Sequence, residues 1–398
     1  VTSCITTSDG RKGWWKNRYM LDKQLEKLLQ RIERSWLGGF QGFFSVRKIN
    51  EVYFAEFSQK FNEILHNNLP SRKHVGTPDA FLQLENWILE LFLLMDHLNE
   101  NFLVMVEDLL YFVLDILVYH GEENAYDEID MSLLHFQTEE AIMKYHTRCG
   151  IGGSKRVQHT FLVVSNKCHL FPWESMAFMK TLSISRVPSL HILKEMLQNN
   201  NNKVQLDVHV DRKLSMVLNP GGDLVRSEER FTELFSNIGR NCPESKLLIH
   251  EKPSESDLLA MINLSNMFIY IGHGGGEQYA RNKEIKRQNK LCPSLLLGCS
   301  SAAMKYYGDL EPTGVIYSYL LGGAPLVVGN LWDVTDKDID KFTMSVFEKI
   351  GLIRNITNSS NDGTSVNDAV EESRDVCNLK YLNGTAPVVY GLPAKIIY

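Results

Sequence analysis

The chain has no CxxC pair, and its seven cysteines are odd in number and scattered without pattern. That excludes a disulfide framework and a zinc site of the usual spacing. A reducing compartment is the expectation. With no signal peptide to be seen, the Asn-x-Ser/Thr sequons at Asn263, Asn355, Asn358 and Asn383 are expected to be chance matches. No long apolar run is free of charge. The most hydrophobic stretch, 102–119, is broken by Glu107, Asp108 and Asp115, which argues against a membrane span. Positive charge is not in excess: the formal net charge is −6, so nothing favours nucleic acid or an anionic membrane as partner. There is no Gly-Lys-Ser/Thr loop, so no nucleotide site is indicated. The chain opens on Val1 without a methionine, as a fragment of something longer would.

What is there has the make-up of a soluble globular protein, 44% hydrophobic and 23% charged, and its 398 residues suffice for two or three domains. The first half is helical in pattern. Leu21, Leu25, Leu28, Leu29, Ile32 and Trp36 form one face of a helix over 20–36, with Gly38-Gly39 as its stop. Further helices are predicted over 52–65, from Thr77-Pro78 towards His97, and over 99–119. An acidic loop follows at 121–130. Four long helices with short connections suggest a bundle.

After Gly150 the period changes. A β-branched and aromatic run covers 159–165, and a short helix covers 189–198. The asparagine run 199–202 is the clearest linker. Strands are then predicted at 214–218, 247–250, 267–271, 295–298 and 325–329. Helices are predicted at 227–238, 312–321 and 336–350, the last capped by Thr335 or Asp336. Alternation of this kind implies an α/β fold, a mostly parallel sheet with helices on both faces. The stretch 354–365 is polar and rich in Asn and Ser.

Two of these strands end in chemistry. The run 267–271 gives way to Gly272-His273-Gly274-Gly275-Gly276, and 295–297 to Gly298-Cys299-Ser300-Ser301. A thiol is a poor nucleophile until ionised, and a nearby imidazole can hold the thiolate or take its proton. Glycines at the strand ends let a substrate backbone approach and leave N–H groups to face an oxyanion. Taken alone, His273 is more often structural, and an unselected cysteine such as Cys299 is usually a buried small hydrophobe. The His-Gly-Gly-Gly stretch is also similar to the oxyanion motif of one esterase group, with Ser300 as nucleophile. That order requires a histidine downstream, and none of the twelve lies beyond His273.

The order His then Cys at successive strand ends resembles the caspase-like cysteine peptidases. Gly272–Tyr279, Leu296–Ser301 and Gly329–Asp336 narrow the likeness: this block is similar to the active-site region of the separase family. Phe171-Pro172-Trp173-Glu174, Leu218–Asp223 and Asn383–Gly391 match as well. The likeness covers about 160 to the end. The helical region before 150 is placed only by position.

This resemblance implies a caspase-like fold preceded by a helical bundle inserted in a smaller α/β domain. The implied division is a pseudo-protease-like substrate domain over 1–200, with a helical insert at about 12–146, and a peptidase domain over 203–398. It implies His273 as general base, Cys299 as nucleophile, and the N–H groups of Gly274 and Cys299 as oxyanion donors. No cofactor or metal is implied. The family cleaves after arginine, and a buried guanidinium needs a carboxylate partner. Of the cluster Asp333, Asp336, Asp338 and Asp340, the expectation falls on Asp340, backed by Asp336 and Asp333. Helix N-terminal charge is the plainer reading for most of them. Trp332 is either core or the wall stacked on the arginine stem. The basic run 281–290 is a solvated loop or attracts acidic residues upstream of the scissile arginine. Glu277 is expected to be structural. The implied partners are a securin-type inhibitor and the cohesin kleisin subunit, cut to release sister chromatids at anaphase. The implied setting is cytoplasm, nucleus and spindle, with neither nucleic acid nor membrane bound directly. A caspase-like module that binds peptides without cutting them is the alternative.

Overall fold

The computed structural model describes residues 8–69, 84–149, 159–180, 182–210, 213–241, 244–308, 310–353 and 364–397. The chain forms two compact units: Val1–Lys27 with Gln158–Tyr398, and Leu28–Val157.

Helices account for the second unit. After α1 (Ser8–Arg31) come α2 (Glu51–Asn68), α3 (Asn86–Leu94), α4 (Phe102–Tyr119), the single turn α5 (Ala125–Glu128) and α6 (Met131–Cys149). In α4, Val106, Leu109, Leu110, Val113, Leu114 and Leu117 recur at helical spacing and are fully buried. They share a core with Phe61 and Leu65 of α2, Phe92 of α3 and Ile142 of α6. Gly38 ends the first helix as predicted: its last turn is a π turn, Ile32–Leu37, Gly38 caps it with φ of 45°, and a separate 3-10 helix, Gly38–Phe44, follows. The glycines also serve close packing: a Cβ on Gly38 would lie 2.1 Å from Asp108 Oδ2, and one on Gly39 2.4 Å from the Met105 carbonyl. By contrast, α6 is a further long helix where none was predicted. It is largely polar and buries a thin stripe, which gave little periodic signal. The helix start predicted at Thr77-Pro78 and the polar stretch 354–363 lie outside the described residues.

The first unit holds an eight-stranded sheet. Its strands are β1 (His159–Leu162), β2 (Ser183–Arg186), β4 (Leu214–Leu218), β5 (Leu247–Ile249), β6 (Met267–Ile271), β7 (Ser294–Leu296), β8 (Leu326–Asn330) and β9 (Pro387–Gly391). The order is β1-β2-β9-β8-β7-β6-β4-β5, and the β8–β9 pairing alone is antiparallel. Strands β3 (Leu206–His209) and β10 (Ala394–Ile397) form a separate parallel pair. The expected α/β fold with a mostly parallel sheet is therefore what the chain adopts. The division predicted at 200–203 falls inside this unit. The sheet runs across it, because β2 pairs with β9 near the other end of the chain, Arg186 facing Tyr390. The asparagine run is a turn there, with Asn201 and Asn202 in the left-handed region.

Every residue of β4, β6 and β8 is buried, as a sheet covered on both faces requires. Alternate side chains enter different cores. Met267, Ile269 and Ile271 join Leu214, Met216 and Leu218 on one face, with α8 (Val225–Asn241), α12 (Asp336–Lys349) and α13 (Val366–Ser373). Phe268 and Tyr270 join Val217, Leu296 and Val327 on the other, with α7 (Leu190–Asn199), α9 (Glu255–Leu264), α10 (Asn282–Lys286) and α11 (Val315–Leu321). Ser189, Ser254 and Ser365 cap α7, α9 and α13 through their hydroxyls. Among the described residues no helix is long and apolar enough to cross a membrane.

The outer strands are held by a buried ion pair. Glu174 accepts from Arg186 Nε at 2.7 Å and Nη2 at 2.8 Å, and the same guanidinium reaches the carbonyls of His169 and Phe171. Burial works against its charge, but the guanidinium holds the Glu174 carboxyl below its usual range.

Candidate active site

Parallel strands place the loops that follow them on one edge of the sheet. Strands β6 and β7 are parallel neighbours, with Tyr270 facing Leu296. His273 and Cys299 therefore leave the same edge side by side. Between them stands Gly298. A Cβ there would lie 2.1 Å from the Gly274 carbonyl oxygen, 2.3 Å from that of Gly272 and 3.0 Å from Gly274 N. The two loops touch backbone to backbone, and only glycine permits it.

The cysteine sits on a constrained turn. Ser300 beside it has φ of 52°, in the left-handed region that non-glycine residues avoid. Hydrogen bonds to the end of β8 hold this conformation. Asn330 Nδ2 donates to the Gly298 carbonyl at 2.9 Å, Ser301 Oγ accepts from Asn330 N at 2.9 Å, and Ser300 N donates to the Trp332 carbonyl at 3.1 Å. Ser300 Oγ also donates to Asp333 at 2.5 Å. The Cys299 thiol is half-buried and donates to the Val334 carbonyl at 3.1 Å. Burial pushes its pKa up, and the charges of Asp333 and Asp336 add to the shift.

The histidine loop is equally fixed. Gly274 has φ of 63°. Tyr270, from within β6, donates its hydroxyl to the His273 carbonyl at 2.8 Å, and Glu277 accepts from Gly275 N at 2.7 Å. The Glu277 carboxylate thus braces the loop. The exposed imidazole of His273 bonds through Nε2 to Asp223 at 2.8 Å. That hydrogen bond holds the Asp223 carboxyl below its usual range. In the sequence Asp223 stands out only as the end of the matched stretch Leu218–Asp223, with no role of its own. Its partner lies fifty positions on, across a strand pairing no local pattern reveals.

The acidic residues after β8 separate into different roles. Asp338 is fully buried and accepts from Asn378 N, Leu379 N and Asn383 Nδ2 at 2.9–3.0 Å, so it anchors the loop before β9. Asp333 is exposed and bonded to Ser300; Asp336 is exposed on the first turn of α12. Asp340 is 3% exposed, and it accepts from Ser227 Oγ and Arg230 Nη1 of α8, both at 3.1 Å. Burial raises its pKa to about 6 against the pull of both partners. Trp332 is half-buried, packs against the cores on both faces and donates to the Leu382 carbonyl at 2.6 Å. In the basic run, Arg281 pairs with Glu255 and Arg287 with Glu284, leaving a mixed rather than uniformly positive surface.

Comparison with known proteins gives this arrangement a family. A model described as Separin, protease domain, matches residues 1–339. The separin of Saccharomyces cerevisiae is 55% identical over 397 residues, covering all of this chain and 24% of its own length. That of Schizosaccharomyces pombe is 40% identical, covering 98% of this chain and 21% of its own length. A crystal structure of the Saccharomyces cerevisiae separase–securin complex superposes with a TM-score of 0.92 at 56% identity, covering all of this chain and 26% of that one. The chain thus spans about a quarter of the length of the relatives it matches. With the model matching well over half its length and the yeast relative aligned end to end, the chain belongs to the separin family, in the part that carries the protease domain.

Proposed function

We propose that this chain is a cysteine endopeptidase unit that cleaves after arginine, with Cys299 as nucleophile and His273 as general base. The observation that carries this is the contact through Gly298, which sets the two loops side by side on one sheet edge. In this scheme the thiol proton passes to the imidazole as sulfur attacks the scissile carbonyl. The N–H groups of Gly274 and Cys299 take the oxyanion, and losing one such donor typically costs about 2.7–4 kcal/mol of barrier. The imidazolium then protonates the leaving amine, and water releases the acyl group.

Arginine specificity is assigned to Asp340, with Asp336 and Asp333 lining the approach and Trp332 beside the arginine stem. A carboxylate buried between α8 and α12, already satisfied by one guanidinium, is chemically fit to receive another. The separase–securin complex of the yeast relative supports a securin-type inhibitor as partner. The cohesin kleisin subunit is the proposed substrate, cut in nucleus and cytoplasm and at the spindle to release sister chromatids. The domain division at 200–203 is kept as a functional one, the portion before it contributing to substrate binding.

Labelling by an arginyl acyloxymethyl-ketone peptide tests the assignment. The parent protein should be modified at Cys299, and Cys299→Ser and His273→Ala should each abolish both labelling and peptide cleavage with the fold intact. Substantial turnover by Cys299→Ser would sink it. A folded protein that binds the peptide but is never labelled would instead be the non-cutting module.

A further inference from the structure

The turn after β4 has no role in the dyad scheme, yet it is built around one contact with it. Asn219, at the end of β4, adopts the left-handed conformation with φ of 46°. Its backbone N donates to the Ile271 carbonyl of β6 at 2.8 Å, tying the two strand ends together. Its side chain spans the turn, accepting from Leu224 N at 3.0 Å and donating to Glu228 at 2.5 Å. Glu228 in turn bonds His250 Nδ1 at 2.9 Å, behind the turn. The two glycines are required by what surrounds them. A Cβ on Gly221 would lie 2.9 Å from Asp223 Oδ1, and one on Gly222 3.0 Å from His250 Nε2. The turn fixed in this way carries Asp223, whose carboxylate lies 2.8 Å from His273 Nε2.

We infer that Asp223 is a positioning residue for the general base, an inference that rests on His273 and Cys299 being the dyad. A carboxylate held below its usual pKa is ionised at neutral pH and can only accept. Nε2 must therefore carry the proton. The tautomer is fixed by this bond, and Nδ1 is left with the lone pair that takes the thiol proton. Once Nδ1 is protonated, the same carboxylate faces an imidazolium and stabilises it through the step in which the leaving amine is protonated. Both side chains are more than half exposed in the free protein, so solvent screens the pair there. A bound peptide covers the loop and removes that screening, so the contact matters most in the enzyme–substrate complex.

The titratable neighbours of the loop are distinct in their contacts. Glu228 and His250 stand behind the turn, Tyr270 bonds the His273 carbonyl, Glu277 bonds Gly275 N, and Cys299 lies on the next strand. Among the described residues the imidazole itself bonds Asp223.

The test is steady-state cleavage of an arginyl peptide across pH by the whole chain. Asp223→Asn should lower kcat by about 10–100-fold, a share of what general acid–base catalysis contributes, with KM little changed. The acid limb of the kcat profile should move to lower pH, because the imidazolium whose formation removes the base loses its counter-charge. Asp223→Glu should restore part of both, and Gly221→Ala should reproduce the defect by pushing the carboxylate aside. An unchanged Asp223→Asn enzyme overturns the inference, and so does a lowered kcat with the limb unmoved, which is what a structural role would give. His273→Ala separates the levels. If it is inactive while Asp223→Asn is normal, only the positioning role falls. If it is active, the dyad falls and the positioning role with it.

Discussion

Replacing Asp340 with Asn should weaken cleavage after arginine and leave the protein folded. Asparagine keeps the shape and the acceptor that faces Ser227, so the change removes charge and little else. Burial already raises this carboxyl to about 6, which means its charge is held at some expense to the fold, and neutralising it is not expected to destabilise. A hydrogen bond to a charged group is worth about 1.5–3 kcal/mol, and at the upper end its loss lowers kcat/KM by roughly 10²-fold. Arg230 supplies the opposite sign. It is 39% exposed, so its own pairing with Asp340 is screened and contributes about 0–1 kcal/mol. Substrate arginine must share or displace it, and Arg230→Ala should therefore lower KM by a few-fold. The wild-type profile should also carry a limb near pH 6: below it the carboxyl is protonated, the guanidinium loses its partner and kcat/KM falls. Asp340→Asn should erase that limb. The assay is hydrolysis of a fluorogenic arginyl peptide, with alkylation of Cys299 by iodoacetamide as the control that should not change. Normal cleavage by Asp340→Asn, with a defect in Asp333→Asn or Asp336→Asn, would move the pocket to those residues. Normal cleavage by all three would place it elsewhere.

In the free protein the Cys299 thiol is raised, so its alkylation rate should climb with pH beyond the ordinary thiol range and show no plateau at low pH; such a plateau would mean a preformed ion pair. Asp336→Asn removes one of the charges that raise the thiol and should shift that curve to lower pH. Glu174→Ala strands the buried Arg186 guanidinium and should destabilise by about 3–5 kcal/mol in urea unfolding, whereas an exposed pair such as Arg34–Glu100 should contribute less than about 1 kcal/mol.

The parts of the fold legible in the sequence are those whose signal is local. Strands β4, β6 and β8 announce themselves because a strand buried on both faces is an unbroken apolar run. Helix α12 shows an amphipathic period and an acidic first turn. Strand β9 begins on Pro387 and ends on Gly391, which leaves only Val388, Val389 and Tyr390 as an apolar run between two breakers, and no strand is predicted there. Strands β3 and β10 are short and lie far apart in the chain, so their pairing is carried by tertiary structure alone. The same division holds at the site. Glycine-rich strand ends mark His273 and Cys299 in one dimension. The bond from Asp223 to His273, the pairing of Asp340 with Arg230 and the burial of Asp338 depend on which strands adjoin, and the sequence pattern does not encode that.

The sheet order explains why the loops meet where they do. Strand β4 is followed by α8 on one face, while its neighbour β6 is followed by α10 on the other. Chains leaving adjacent strands in opposite directions open a crevice at their carboxyl ends, the place where α/β sheets bind ligands. The divergence recurs between β7, which leads to α11, and β8, which leads to α12. His273 and Cys299 stand between these two openings. Helices α8 and α12 flank them on one face and meet through Ser227, Arg230 and Asp340. A peptide lying along the strand ends would therefore meet His273 and Cys299 in the middle and the Asp340 carboxylate to one side of them, as the proposed function requires. Both positions are fixed by rigid elements: the first by the backbone contact of the two loops at Gly298, the second by the contact of α12 with α8.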